Sequence, residues 1–188
     1  MRPVAALSAL GDRTFGSLRR HRNYRLYFAG SAISFIGTWM QQIAAYWLIL
    51  QLTGSPIAVG ALALAQTLPV TMLALVGGSI ADRVDLRRLI VRCETVLALN
   101  AALLAFLALT GLIAAWQLYV LGFIQGMAIA LDSPARHTLV FQIVGRDDLP
   151  NAVALSSAIG TTSRIIGPAL GGLVVARSEE HTSEPSHG

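Results

Sequence analysis

Charged residues divide this chain into long apolar runs. No charged residue occurs between Arg25 and Asp82, a run of 56 positions, and none occurs between Glu94 and Asp132, a run of 37. A bilayer core about 30 Å thick is crossed by about 20 apolar residues in an α-helix. The two runs therefore hold several crossings, and the pattern predicts an all-α integral membrane protein with about five transmembrane helices.

Helix-ending residues divide these runs further. The first run of 56 residues must turn, because as one helix it would be about 84 Å long. Gly54, Ser55 and Pro56 supply a helix end, a cap and a first helical residue, and Asp85 is a candidate N-cap for the third span. The five predicted spans run from about 24 to 52, 56 to 81, 86 to 111, 116 to 134 and 150 to 176.

Arginine is concentrated at alternate ends of these spans. It is frequent before the first span, between the second and third, and after the fourth, where Arg136 and Arg146 lie, whereas the connections near Gly54 and Gly111 hold none. Basic connections stay in the cytoplasm. We therefore expect a cytoplasmic segment over residues 1–22 and a membrane bundle over 23–176. As a separate expectation, the membrane is the inner (plasma) membrane of a bacterium.

Composition narrows the possible functions. Only 13% of the residues are charged, about half the share of a soluble domain. All 14 basic residues are arginine, which is typical of a GC-rich genome rather than of a nucleic-acid site, and the absence of lysine excludes a nucleotide-binding Gly-Lys loop. The single Cys93 and the unpaired His21 and His137 give no metal or catalytic pattern. We expect no enzyme activity, no metal, no cofactor and no nucleic-acid partner.

The last twelve residues, "RSEEHTSEPSHG", are abruptly polar. They resemble the translation of a common sequencing-library adaptor, which reads "RSEEHTSELQSH" in one frame. We therefore expect residues 177–188 to be a non-native, adaptor-derived tail, which makes the chain the N-terminal fragment of a longer protein. A genuine polar tail is the alternative.

A dense group of charges, "GGSIADRVDLRR", separates the second and third spans. Glycines at 77 and 78 allow two helix ends to approach closely. Asp82 can accept hydrogen bonds from arginine or from a facing helix N-terminus. The alternative is a charged loop that only fixes the topology, since its arginines suffice for that.

This connection resembles the signature of the major facilitator superfamily, which is Gly, three residues, then Asp-Arg-x-Gly-Arg-Arg. The positions that share the spacing are Gly78, Asp82, Arg83 and Arg87, with Arg88 beside them. Asp85 in place of glycine, together with the opening string from Ser17 to Ala44, is similar to the branch of enterobactin and macrolide-efflux exporters. The resemblance extends from about Phe15 to Ala176. It implies that Asp82 acts as a latch, holding two halves of a transporter together on the cytoplasmic side.

A second motif, "SRIIGPALGG", lies in the fifth predicted span. It resembles the antiporter motif of the same family, and the matching residues are Gly167, Pro168, Gly171 and Gly172, with Ser163 in place of a leading glycine. The spacing places small residues on one helix face and favours close packing, with a bend at the proline. Packing alone is the alternative, and a link to export is implied only by the resemblance.

Several polar residues lie inside the predicted spans. Arg164 is 14 residues beyond Pro150, about 21 Å into the membrane, and such residues usually face a bundle interior. Its partner is either Glu94, about 12 Å deep, or an acid on a helix outside this chain. Other candidates for coupling, for lining a substrate path or for joining helices are Asp132 and Arg136, four residues apart and able to pair, and Gln41, Gln66 and Asn100.

The fourth span departs from many proton-coupled relatives. They carry an arginine three residues before a Gln-Gly pair, whereas this chain has Gly122 before Gln125 and Gly126. The leading hypothesis is a secondary active transporter that exports drugs or siderophore-like small molecules in exchange for protons. An importer or lipid transporter of the same fold and a non-transporting membrane scaffold are the alternatives.

Overall fold

The computed structural model describes residues 22–81 and 85–182, and every regular element within these ranges is an α-helix. The helices, in chain order, are α1 Arg22–Thr53, α2 Pro56–Ala81, α3 Leu86–Leu109 and α4 Ala115–Thr182. This confirms the all-α architecture expected from the charge pattern.

The predicted helix ends are confirmed at three positions. Gly54 and Gly111 adopt left-handed backbone angles, with φ of 61° and 69°, and close α1 and α3. Asp85 caps α3, because its carboxylate accepts hydrogen bonds from the backbone N–H groups of Arg87 at 3.0 Å and Arg88 at 3.2 Å. Such a cap satisfies donors that the first helical turn leaves unpaired.

The expected end of the fourth span after Pro134 is wrong, because α4 stays helical through Pro134 and Pro150. A proline inside a helix removes one backbone donor and bends the helix, and neighbouring side chains can compensate locally. One turn after Pro134, Thr138 Oγ1 donates to the carbonyl of Pro134 at 3.1 Å, a side-chain hydrogen bond within the same helix.

Although α4 is continuous, it reverses direction. Arg136 contacts Ser31 of α1, and Gly167 contacts Trp39 of the same helix. A straight helix would separate Arg136 and Gly167 by about 46 Å, whereas Ser31 and Trp39 are only about 12 Å apart along α1. The reversal lies between residues 144 and 152, which pack in one apolar cluster. We call residues 115–144 the first limb of α4 and residues 149–172 its second limb.

The two limbs pack against different helices. Glycines 122 and 126 of the first limb lie against Leu62 and Gln66 of α2. Antiparallel packing also joins the first limb to α3, because Leu104 clusters with Leu118 at one end and Ile90 clusters with Ala135 at the other. The second limb packs on α1. These limbs correspond to the fourth and fifth predicted spans.

Four described segments are long and apolar enough to cross a membrane. They are Arg25–Thr53, Pro56–Leu73, Leu86–Leu109 and Ala115–Val144. The second limb is not among them, since Arg164 and many serine, threonine and glycine residues lower its apolar content. The chain is therefore an integral membrane helical bundle, and the second limb is its most polar member.

The predicted tail begins inside α4, which runs to Thr182. Residues 183–188 lie outside the described part of the chain. The adaptor origin of residues 177–188 therefore stays a prediction.

Candidate functional site

A buried arginine joins three helical segments. Arg136 of the first limb is only 9% exposed. Its guanidinium donates from Nε to Asp132 one turn earlier, from Nη2 to Glu94 of α3, and from Nη1 to Ser31 Oγ of α1 at 2.7 Å. The Asp132–Arg136 pairing was one of the sequence-based alternatives and is what the structure shows, whereas the expected place of Arg136 in a polar connection is wrong, because α4 extends beyond it.

Glu94 is held by α1 as well. The hydroxyl of Ser34 lies 2.9 Å from one Glu94 carboxylate oxygen and 2.7 Å from the other. The rings of Tyr27 and Phe35 lie 5.8 and 5.6 Å from the Arg136 guanidinium, within the range of cation–π contacts. We call Ser31, Ser34, Glu94, Asp132 and Arg136 the Arg136 cluster.

The Arg136 cluster lies at membrane depth. Ser31 is six residues past Arg25 and Glu94 is eight residues past Leu86, so the cluster is about 9 to 12 Å inside the arginine-rich ends of these spans. It contains one cation and two carboxylates. In addition, Asp132 Oδ1 is buried and has no hydrogen-bond partner among the described residues. The cluster thus has a spare carboxylate, and binding one proton would balance its charge.

A second polar group joins α1 and α2 nearer the other membrane face. Gln42 Nε2 donates to Tyr46 Oη at 2.9 Å and to Gln66 Oε1 at 3.1 Å, and Tyr46 Oη donates to the same Gln66 oxygen at 2.9 Å. Gln66 therefore joins neighbouring helices. Gln66 Nε2 and both amide atoms of Asn100 are buried with no partner among the described residues. Gln41 is partly buried beside this group in sequence.

Arg164 has a different environment. It is exposed on the second limb, and its guanidinium lies 5.5 Å from the centre of the Trp39 ring. Within the described part of the chain it forms no ion pair, and Glu94, one of its two candidate partners, is bound to Arg136. Trp39 lies midway between Arg25 and Thr53, about 21 Å from either residue. A charge at such depth costs about 2.5–3.5 kcal/mol on insertion scales unless it is compensated.

The glycine-proline motif packs the second limb on α1. A side chain at Gly167 would overlap Trp39 and approach the Ile36 carbonyl oxygen at 3.3 Å, and Gly171 faces Ile43 at 3.5 Å. Gly172 faces open space. Only part of the motif is therefore at the helix contact, and Pro168 lies between its two packed glycines.

Gly122 and Gly126 were not predicted from the sequence as packing residues. The contacts of Ser31 and Ser34 with the Arg136 cluster, and of Trp39 with Arg164, were not predicted either. A side chain at Gly126 would overlap the backbone carbonyl of Gln66, so the first limb can approach α2 only with glycine there. The spacing of Gly122 and Gly126 by four residues is the signal that could have found this contact.

The predicted latch is only partly within the described residues. Gly78 lies in the last turns of α2, and Arg87 and Arg88 are exposed in the first turn of α3. Arg88 Nε lies 3.3 Å from the carboxylate of the cap Asp85. Asp82 and Arg83 lie outside the described residues, so the latch contact stays a prediction.

Comparison with known proteins gives one family and several relatives. The family model described as "transmembrane secretion effector" matches residues 13–182. The uncharacterized MFS-type transporter YfiS of Bacillus subtilis is 31% identical over 165 residues, which cover 87% of this chain and 38% of YfiS. The staphyloferrin A transporter of Staphylococcus aureus is 26% identical, covering 81% of this chain and 38% of the relative. Macrolide efflux protein A of Streptococcus pyogenes is 23% identical, and the match covers 84% of this chain and 40% of the relative.

No solved structure matches the chain. The chain spans about two fifths of the length of these three relatives. The matched regions make up 38%, 38% and 40% of their lengths. All three come from bacteria, and all three are named as transporters or efflux proteins.

Proposed function

Because the chain belongs to the transmembrane secretion effector family of the major facilitator superfamily, we propose that it forms part of a secondary active transporter. The transporter exports drugs or siderophore-like small molecules from a bacterial cell in exchange for protons. The observation that carries the proposal is the Arg136 cluster, a buried group with one more carboxylate than cation inside the membrane spans.

The substrate class is supported by the relatives. One is named for a siderophore, staphyloferrin A, and another for macrolides. Both names refer to organic small molecules, and the family description refers to secretion. Export of such compounds is therefore favoured over lipid movement or import.

Proton coupling is supported by the placement of the carboxylates. Glu94 links α3 to Ser34 of α1 and to Arg136 of the first limb. A proton on Glu94 removes its negative charge and weakens the pairing with Arg136, because ion pairs in a low-dielectric site depend on both charges. Protonation thereby changes how tightly α3 is held. A transporter can use such a change to bias one conformation over another.

The orientation and the two family motifs complete the proposal. The arginine-rich ends of the spans, with the N-terminus, lie in the cytoplasm, and the protein lies in the inner membrane. Asp82, with Gly78, Arg83, Arg87 and Arg88, forms the cytoplasmic latch. The packed Gly167–Gly171 face sets how tightly the second limb closes on α1.

Efflux of a macrolide from cells under an imposed proton gradient tests the coupling. We expect Glu94→Gln in the full chain to lower gradient-driven efflux at least tenfold at equal membrane levels, because glutamine keeps the shape and loses the titratable charge. Thr95→Val is the matched control, since Thr95 is exposed and bonds only within its own helix. Full gradient dependence in Glu94→Gln would contradict the proposal, and gradient-driven uptake in the unchanged protein would favour the importer.

A further inference from the structure

Arg164 is a cation at the centre of the membrane without a described counter-charge. Its contact with Trp39 places it about 21 Å from both ends of the α1 span. An arginine side chain is much too short to reach either interface from that depth. Its charge must therefore be compensated near the bilayer centre.

The two carboxylates of the Arg136 cluster make their ion pairs with Arg136 and not with Arg164. Glu94 and Asp132 both pair with Arg136. The first two spans hold no acidic residue at all, since the run from 26 to 81 is free of charge. No described carboxylate contacts Arg164, so a negative charge in direct contact with its guanidinium has to come from outside the described residues, either from a bound ligand or from another part of the transporter.

The packing of the second limb fixes where Arg164 points. Ser163 is 2% exposed and Gly167 contacts Trp39 and Ile36, so this face is pressed against α1. Ile165 is 69% exposed on the opposite side. Arg164 lies at the edge between these two faces and over the Trp39 ring. Its guanidinium thus lies over one aromatic ring, and the residue as a whole is exposed.

We propose that Arg164 and Trp39 together bind the carboxylate end of a transported organic anion that also carries a planar apolar group. This inference rests on the proposed transport function and adds one class of substrate, planar organic anions, to the proposed range of drugs and siderophore-like compounds. A guanidinium offers two parallel N–H donors that match a carboxylate. The indole face beside it offers an apolar surface for a planar group.

A ligand carboxylate and a protein carboxylate would compensate the charge of Arg164 by the same chemistry. Two probes of similar shape, one charged and one neutral, distinguish these two sources. The full chain is reconstituted in lipid nanodiscs without a proton gradient, and equilibrium dialysis measures binding of 2-naphthoate and of its neutral analogue 2-naphthamide. We expect naphthoate to bind at least tenfold more tightly than naphthamide. An arginine already neutralised by a protein carboxylate would give no such preference.

Variants assign the preference to the two residues. Arg164→Gln is expected to remove it by weakening naphthoate alone, and Arg164→Lys to keep part of it, because an ammonium lacks the planar fork. Trp39→Leu is expected to weaken both probes alike. Arg92→Gln, an exposed arginine near the start of α3, is the matched control and should leave the preference unchanged.

Two outcomes overturn the inference. One is the absence of a naphthoate preference in the unchanged protein, including no measurable binding of either probe. The other is a preference that persists in Arg164→Gln. Glu94→Gln should keep the full preference although it fails in gradient-driven efflux. A wrong coupling proposal therefore appears only in the efflux experiment, and a wrong substrate class appears only in the binding experiment.

Discussion

Two arginines on the same helix show two ways of placing a charge in a membrane. Arg136 is 9% exposed and is bound by two carboxylates and a serine hydroxyl from three segments. Arg164 is exposed and has an aromatic ring as its one charge-compensating contact within the described residues. The charge of Arg136 is compensated by carboxylates inside the bundle, whereas no described carboxylate compensates the charge of Arg164.

The difference separates a coupling role from a recognition role. The Arg136 cluster connects α1, α3 and the first limb, so a change in its charge alters how helices pack. Arg164 connects the second limb only to Trp39, so a change in its charge alters what the protein presents to a ligand. Because the Arg136 cluster is buried, removal of one of its charged groups leaves the others without a counter-charge and lowers the stability of the fold.

The largest effect is expected from removal of the buried cation. Arg136→Ala leaves Glu94 and Asp132 without their counter-charge and should lower the free energy of unfolding by about 3–5 kcal/mol. Denaturant unfolding in detergent micelles, followed by tryptophan fluorescence, measures the change. Adding Glu94→Gln and Asp132→Asn to the same variant should restore much of the loss, because the stranded charges are then gone. Unchanged stability of Arg136→Ala would erase the contrast between the two arginines.

A smaller effect is expected at the glycines that hold the second limb. Gly167→Ala places a methyl group against Trp39 and Ile36 and should cost about 1–3 kcal/mol through overpacking. Gly172→Ala is the matched control from the same motif, since it faces open space. There alanine should be neutral or stabilising by about 0.5–1 kcal/mol, because it favours helix more than glycine does. If the two variants change the free energy of unfolding equally, then Gly167 is no closer to α1 than Gly172 is.

Features that depend on one helix at a time were predictable from the sequence. The turns at Gly54 and Gly111 and the cap at Asp85 follow from local backbone chemistry, and all three are confirmed. The Asp132–Arg136 pair follows from the spacing of four residues on one helix. The first four spans follow from the apolar runs that charge interrupts.

Features that depend on how helices rotate against one another were not predictable. Sequence position gives the depth of Glu94 but not the direction in which it points, and depth alone made Glu94 a candidate partner of Arg164. The structure pairs it with Arg136. The end after Pro134 was wrong for a related reason, because a proline bends a helix in the membrane without ending it when the surrounding bundle supports the bend. Likewise, Gly171 and Gly172 differ by one helical step, and only the first meets α1.

The smallest effect on stability is expected from the exposed cation. Arg164→Gln removes a contact with Trp39 that is worth about 0.5–1 kcal/mol at an exposed site. It also relieves an uncompensated charge at the bilayer centre. These changes oppose each other, so the free energy of unfolding should stay within about 0.5 kcal/mol of the unchanged protein, the range usual for substitutions away from packed features. The same denaturant titration measures it, with Arg136→Gln as the matched variant that should be severely destabilised. A large loss in Arg164→Gln would show that this arginine is paired inside the folded protein, and its charge would then be unavailable to a substrate.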